Sequence, residues 1–240
     1  MVTDPPYGDT SLDWDQPVKG WLDLIDTRQV WCFGSMRFWL EHGSDFREDW
    51  TYAQEIVWEK HNGSGFAADR FKRVHELALH WYQGPWSTLH LNPPVVVGQP
   101  RKRGTRRANG TPHTGEIAAS HYDSTVRLKR SVLQVRSEHG RAIHPTQKPV
   151  GIVDPLVRFS VRQGGLVLDP FMGSATTLVA AKQSGRRAIG IEINEQYCTL
   201  AAERFAQQSL DLVGAEISGG GGSNQMTVDD VTSDIEGRAA

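Results

Sequence analysis

The sequence predicts an α/β fold with a mostly parallel sheet, on three observations. Its 240 residues suffice for one domain with a substantial core and an insertion. Near the C-terminus, apolar strand-like runs alternate with helical ones: "GGLVLDPF", "SATTLVAAKQSG", "RAIGIEI" and "EQYCTLAAERFAQQ". Such a β-α-β-α series builds a parallel sheet with right-handed crossovers. From Gly84 to Arg141 periodicity fades while Pro, Gly, Thr and basic residues accumulate, which marks the insertion.

The chain opens with "MVTDPPYG". Val2 and Thr3 are strand formers. Pro5 and Pro6 exclude helix, because each lacks an amide hydrogen and disfavours the helical region for the residue before it. The run reads as a strand end and a stiff turn that presents a carboxylate, carbonyls and a phenol ring in fixed arrangement; a plain surface turn fits these residues as well. "PVKGWLDLIDTRQ" has a helix-like apolar face at Val18, Trp21, Leu22 and Ile25. "VWCFGS" reads as a buried strand and "MRFWLEHG" as a helix closing at Gly43. "AQEIVWEK" is a further strand, and "VHELALHWY" fits strand or helix. In the C-terminal series Ser174 is the expected helix N-cap and Gly185 the stop. No internal repeat is present.

The tail from Gly214 contains "SGGGGS" and then an acidic, aromatic-free stretch, expected to be flexible. "SGGGGS" and "IEGR" resemble an engineered linker and a protease site, and natural low complexity reads equally well. The expected division is one domain over 1–213, with an insertion at about 85–141, and a Gly-rich acidic tail over 214–240.

The net charge of -2 names no partner, but its distribution is uneven. Val97 to Arg141 hold ten Lys/Arg and three Asp/Glu, a net of +7, which leaves -9 for the rest. A basic segment on an acidic body suggests contact with a polyanion. Cys32 and Cys198, far apart in apolar surroundings, fit neither a disulfide framework nor a zinc site and are expected to be buried free thiols. No apolar run reaches about 18 residues and no signal peptide precedes the first motif, so a cytoplasmic protein is expected.

Two further motifs carry chemistry. In "VLDPFMGSATT" a strand ends at Asp169, a glycine-bearing turn follows and a helix opens near Ser174. This sets backbone amides and an acid at a strand's carboxyl end, where open α/β sheets bind ligands. Glu192 is expected to end the next strand, 19 residues beyond Gly173. An acid about 20 residues after a glycine turn is where nucleotide-binding folds hold ribose hydroxyls. An ordinary βαβ unit with a capped helix is the alternative, and the lone glycine disfavours a dinucleotide pyrophosphate site. "HPTQKP", His144 to Pro149, is a rigid extended segment with donors leading into a helix.

Together "DPPY", "HPTQKP" and "DPFMGSATT" followed by "GIE" resemble the amino-methylating DNA methyltransferases (adenine-N6 and cytosine-N4), in their permuted order. The catalytic motif there precedes the basic recognition region and the cofactor motifs. The resemblance covers roughly residues 1 to 208 and extends to "WEK", "DRF" and "HE" between the motifs. It implies a Rossmann-like S-adenosylmethionine-dependent methyltransferase fold, with S-adenosylmethionine as cofactor and double-stranded DNA with a flipped base as partner. It implies no metal and no membrane, and leaves room for a homodimer.

By the same resemblance, Asp4 and the Pro5 carbonyl would accept the hydrogens of the target amine, localising a lone pair otherwise delocalised into the ring. Pro5 and Pro6 would fix those acceptors, and Tyr7 would stack on the extruded base. Asp169, Phe171, Gly173 and Ser174 match the cofactor-binding turn, and Glu192 the ribose ligand. Thr146 and Lys148 match the segment at the methionine end. Asp rather than Ser before "PPY" favours adenine. Arg101, Lys102, Arg103, Arg106 and Arg107 of "RKRGTRR" are the DNA-binding candidates, five basic residues in seven positions around Gly104.

The sequence departs from the family at two points. Ala175 stands where glycine is usual, and is expected to lie already within the helix. Only Met1, Val2 and Thr3 precede the catalytic motif, where the family has a longer strand and another cofactor-contacting segment. The 240 residues alone are therefore expected to bind cofactor weakly. The alternatives to an adenine-N6 enzyme are a cytosine-N4 enzyme, a truncated non-catalytic DNA-binding remnant, and methylation of RNA or a protein amide. Neutralising the five basic residues of "RKRGTRR" together should weaken binding to every duplex and flatten the salt dependence by about 0.9 per lost phosphate contact. Anisotropy titrations across a salt series check this; unmoved affinity and slope would leave a solvated loop.

Overall fold

The computed structural model describes residues 1–64, 68–97, 104–106, 108–113, 115–117, 120–122 and 126–218. The described residues divide into two units, 1–91 with 130–218, and 92–129.

The elements of the first unit up to residue 91 are β1 (Val2–Thr3), β2 (Gln29–Gly34), α1 (Met36–Arg47), β3 (Thr51–Ser64) and β4 (Arg73–Tyr82). The second unit is built of short antiparallel pairs nested in one another. β5 (Val95–Val97) pairs with β10 (Val126–Leu128), β6 (Gly104–Arg106) with β9 (Ser120–Tyr122), and β7 (Asn109–Thr111) with β8 (Gly115–Ile117). The "RKRGTRR" segment thus holds a strand where a loop was expected. Arg106 ends β6, while Arg101, Lys102, Arg103 and Arg107 lie outside the described residues. The first unit resumes with β11 (Val132–Gln134), α2 (Val150–Ser160), β12 (Leu166–Asp169), α3 (Thr176–Gln183), β13 (Arg187–Gly190) and α4 (Glu195–Ser218).

Five strands form a sheet in the order β1-β2-β4-β3-β11, and β12 pairs with β13. β1-β2, β3-β11 and β12-β13 are parallel. The β2-β4-β3 stretch is antiparallel. "VHELALHWY" is therefore strand, since β4 finds a ladder partner on each side.

β2 organises the core. All six of its residues are buried, and its side chains alternate between two apolar clusters. Trp31 and Phe33 pack with Ile152, Val153 and Val157 of α2 and with Val167. Val30 and Cys32 pack with Phe38, Trp39 and Phe46 of α1 and with Trp81. A strand covered on both faces reads as a continuous apolar run, as "VWCFG" does. Cys32 is buried and Cys198 half-buried, and both are free thiols.

Three expected boundaries shift. α1 does not close at Gly43 but runs to Arg47, because Phe46 carries the apolar face one turn further. Its N-cap is Ser35, whose hydroxyl accepts from the Phe38 amide at 3.1 Å. "PVKGWLDLIDTRQ" forms only a 3-10 turn at Leu22–Leu24, since Gly20 adopts φ +71° just before it and Leu24 is exposed. α4 continues past Gly214 to Ser218. Among the described residues no helix is long and apolar enough to cross a membrane.

Where β2 turns into α1, Gly34 is the only residue type that fits. A Cβ there would stand 2.5 Å from Trp39 Nε1 and 2.7 Å from Phe38 Cδ1, both in buried side chains. Gly34→Ala should cost about 1–3 kcal/mol, the usual range for overpacking. Chemical denaturation checks this, and an unchanged midpoint would mean that the two rings yield freely.

Candidate active site

β1 and β12 deliver Asp4 and Asp169 to one place. Thr3 Oγ1 donates to Asp169 Oδ1 at 2.8 Å, so the carboxyl ends of the two strands lie side by side. Beyond them opens a cleft of about 1260 Å³, lined by all four residues of "DPPY", by "HPTQK" and by "DPFMGS".

Asp4 uses both carboxylate oxygens. Oδ1 accepts from the Tyr7 hydroxyl, and Oδ2 accepts from Lys148 Nζ at 2.5 Å. Burial, with Asp4 beside it, pushes the Tyr7 phenol well above its ordinary value, so it remains a donor. Its ring packs on Phe38 with centroids 5.3 Å apart. Asp15, not singled out in the sequence, fixes the turn after Tyr7. Its buried carboxylate accepts from the amides of Tyr7 at 2.8 Å, Gly8 at 3.0 Å and Thr10 at 2.8 Å, and from the Thr10 hydroxyl at 2.7 Å. Burial alone would raise the Asp15 pKa, but these bonds outweigh it and hold the group below its ordinary value.

Lys148, itself buried, stands at the centre of a chain of half-buried charges. Besides Asp4 it lies 3.3 Å from Glu76 Oε2, and Glu76 Oε1 accepts from Lys60. Burial works against the Lys148 charge, yet Asp4 and Glu76 together raise its pKa. Burial likewise pushes Glu76 up, but Lys148 and Lys60 prevail and bring it to about 2. The segment's resemblance placed Lys148 at a cofactor; the structure places its ammonium on the Asp4 carboxylate. Lys60 and Glu76 belong to "WEK" and "HE", which the sequence marked only as family-like. Other charged residues, Glu55 and Glu59 in β3 and Arg73 in β4, stand in the same strands, so neither Lys60 nor Glu76 carried a signal of its own.

The "DPFMGSATT" turn departs from expectation at two residues. Ala175 is not within α3 but is its N-cap, left-handed at φ 61°, and Gly173 before it has φ 47°. Ser174 is therefore not the cap. It is buried against α4, its carbonyl accepting from Arg204 at 2.6 Å and its hydroxyl from the same nitrogen at 3.2 Å. A left-handed alanine costs about 1–2 kcal/mol, which explains why glycine is usual there. Phe171 stands edge-on to Trp21, centroids 5.3 Å apart.

Glu192 lies two residues beyond β13 rather than at its end. Its Oε2 accepts from the Gly173 amide at 3.1 Å and its Oε1 from the Asn194 amide at 2.9 Å, so it joins the two turns at the cleft wall. Thr146 is tied to His144, whose ring packs against Trp14 and Tyr197. The Lys148 carbonyl accepts from Thr176 Oγ1 at 2.9 Å, which links "HPTQKP" to the start of α3.

Burial raises the Asp169 pKa from 3.8 to about 6, against bonds from Thr177, Thr3 and the Phe171 amide. The folded chain therefore holds this proton more tightly than the unfolded one. The stability it confers is full below about pH 3.8 and is lost as the pH rises through about 6. Asp169→Asn keeps an acceptor but cannot ionise, so it should gain on the parent across that window by at most about 3 kcal/mol. Urea unfolding at a series of pH values checks this; a constant difference would remove the raised pKa.

The chain matches the family N6_N4_Mtase, DNA methylase, over residues 1–203. It is 27% identical over 159 residues to the type II methyltransferase M.ScaI of Streptomyces caespitosus, covering 66% of this chain and 52% of that protein. Its fold is similar to the crystal structure of the M1.HpyAVI–SAM complex, with a TM-score of 0.56, 23% identity and coverage of 85% and 86% of the two chains. It is also similar to the PvuII DNA methyltransferase (cytosine-N4-specific), with a TM-score of 0.51, 13% identity and coverage of 80% and 71%. The chain spans about half the length of the curated relatives it matches, or less. With the three motifs assembled around one cleft and the family match running from β1 into α4, the chain belongs to the N6_N4_Mtase family of DNA methylases.

Proposed function

We propose that this chain methylates the exocyclic N6 amine of adenine in DNA, with S-adenosylmethionine as the methyl donor. The observation that carries the reading is the Asp4 carboxylate, held by Tyr7 and Lys148 in the cleft that Asp169 to Ser174 also line.

The residues at the wall suit a nucleoside-bearing cofactor. Glu192 supplies a carboxylate for hydroxyl groups, and the exposed Ile191 and Ile193 beside it offer apolar surface for a purine. Asp169, Phe171, Gly173 and Glu192 would hold S-adenosylmethionine, with Thr146 on the other side; when bound, it supplies an electrophilic methyl carbon. An arylamine is a weak nucleophile until its hydrogens are accepted. Asp4 and the Pro5 carbonyl are the acceptors, fixed before the reaction by Pro6 and the Asp15-anchored turn, and such preorganisation is the largest source of rate in many enzymes. Tyr7 borders the same space, where its ring would meet an extruded base.

DNA as the partner is supported by the basic insertion and by its nested antiparallel pairs, since a two-stranded β-ribbon fits the major groove. Asp at position 4 favours adenine. The runner-up is cytosine N4, because the cytosine-N4-specific PvuII enzyme has a similar fold.

Tritiated methyl transfer to mixed genomic DNA, followed by nucleoside analysis, tests the proposal. N6-methyladenine is expected, and Asp4→Ala should lower turnover by at least about 100-fold, the scale of losing a preorganised transition-state contact, while DNA binding persists. N4-methylcytosine would establish the runner-up. DNA binding without transfer would indicate a non-catalytic remnant, and turnover within a few-fold of the parent would remove Asp4 from the chemistry.

A further inference from the structure

In the free protein both Asp4 oxygens are engaged, one by the Tyr7 hydroxyl and one by Lys148. The proposed reaction needs an oxygen of that carboxylate to face an incoming amine. Lys148 cannot simply withdraw, because its side chain is 7% exposed and its Nζ lies 5.4 Å from the centroids of both Tyr7 and Phe33. A buried ammonium parted from its counter-charge is strongly destabilised. One other carboxylate oxygen is in reach. Glu76 Oε2 is buried and faces Lys148 Nζ at 3.3 Å. Glu76 Oε1 is held by Lys60, so Oε2 stays aimed at the lysine.

We infer that Glu76 is the second berth of Lys148: when an amine enters, the ammonium moves from Asp4 Oδ2 to Glu76 Oε2 and frees Oδ2 to accept an amino hydrogen. The inference rests on the proposed function for the amine, while the berth itself is a property of the free protein. No bond is made or broken, and the pair Lys148 and Glu76 stays charge-matched before and after. Glu76 is a positioning residue, acting through Lys148, and Lys60 holds it in place. Glu76 Oε2 already faces the ammonium at 3.3 Å in the free protein, so the transfer needs only a small shift of Lys148 Nζ.

Two measurements on the full chain test this. The first needs neither DNA nor cofactor. In ¹⁵N-lysine NMR, Lys148 is assigned by its loss in Lys148→Arg. Its ammonium should stay protected from solvent exchange in Asp4→Asn, because Glu76 receives it, and become exposed in Asp4→Asn combined with Glu76→Gln. Equal exchange in the two variants would overturn the berth. The second is methyl transfer. Glu76→Gln, assayed well below its own thermal midpoint, should lower kcat about 10-fold or more with cofactor affinity near the parent's, and Glu76→Asp should recover part of the loss. An unchanged kcat would overturn the inference, as would a loss confined to stability. A parent without methyl transfer would count against the proposed function, and the NMR comparison would still decide the berth.

Discussion

The buried contact between the Asp4 carboxylate and the Lys148 ammonium joins residues 144 positions apart, and the candidate site is arranged around it. Two charges taken out of water are tolerated only when their geometry is good and their remaining valences are filled. Here Tyr7 fills the second Asp4 oxygen, and Glu76 with Lys60 extends the pairing on the other side. Each partner is also anchored by its backbone. Asp4 follows a strand laddered to β2, and the Lys148 carbonyl is bound by the Thr176 hydroxyl. The three sequence motifs are thus linked: displacing either of the first two would part the Asp4–Lys148 pair, and the third is tied to them by the Thr3–Asp169 and Thr176–Lys148 hydrogen bonds.

The sheet makes this arrangement affordable in position rather than in energy. β2 alternates its side chains between two apolar clusters, which holds β1 rigidly beside it. β1 and β12 end side by side, with the Thr3 hydroxyl on Asp169. Acids at the carboxyl ends of neighbouring strands face a crevice, as open α/β sheets favour. The apolar interior sets where those strands end, and so decides where the carboxylates stand.

Much of this was legible in the sequence, for identifiable reasons. "VWCFG" reads as a doubly covered strand because its residues are apolar without alternation, and β12, α3, β13 and α4 follow from period and turn residues. Helix termini were less legible. Gly43 resembles a stop, yet the buried Phe46 extends α1, and local propensity yields to packing. At the site, the resemblance points to Asp4, Tyr7 and Lys148 but not to the contact between Lys148 and Asp4, because a contact over 144 positions has no local signature. Asp15 escaped notice for a different reason. Three of its four partners are backbone amides, which carry no trace in residue identity.

Ala175 shows how the turn that borders the cleft is stabilised from outside itself. A left-handed alanine persists only where its surroundings over-determine it. Here Glu192 binds the Gly173 amide, Arg204 binds Ser174 through carbonyl and hydroxyl, and Ala175 itself is fully buried. Arg204 comes from α4 and Glu192 from the turn after β13, so the last β-α pair of the fold acts as a brace for this turn. The brace explains why alanine is tolerated at a glycine position. Hydrogen bonds of about 1 kcal/mol each are comparable with the cost of about 1–2 kcal/mol for one left-handed alanine. The backbone can then keep the conformation that glycine would adopt freely, and the turn between Asp169 and α3 retains its shape despite the substitution.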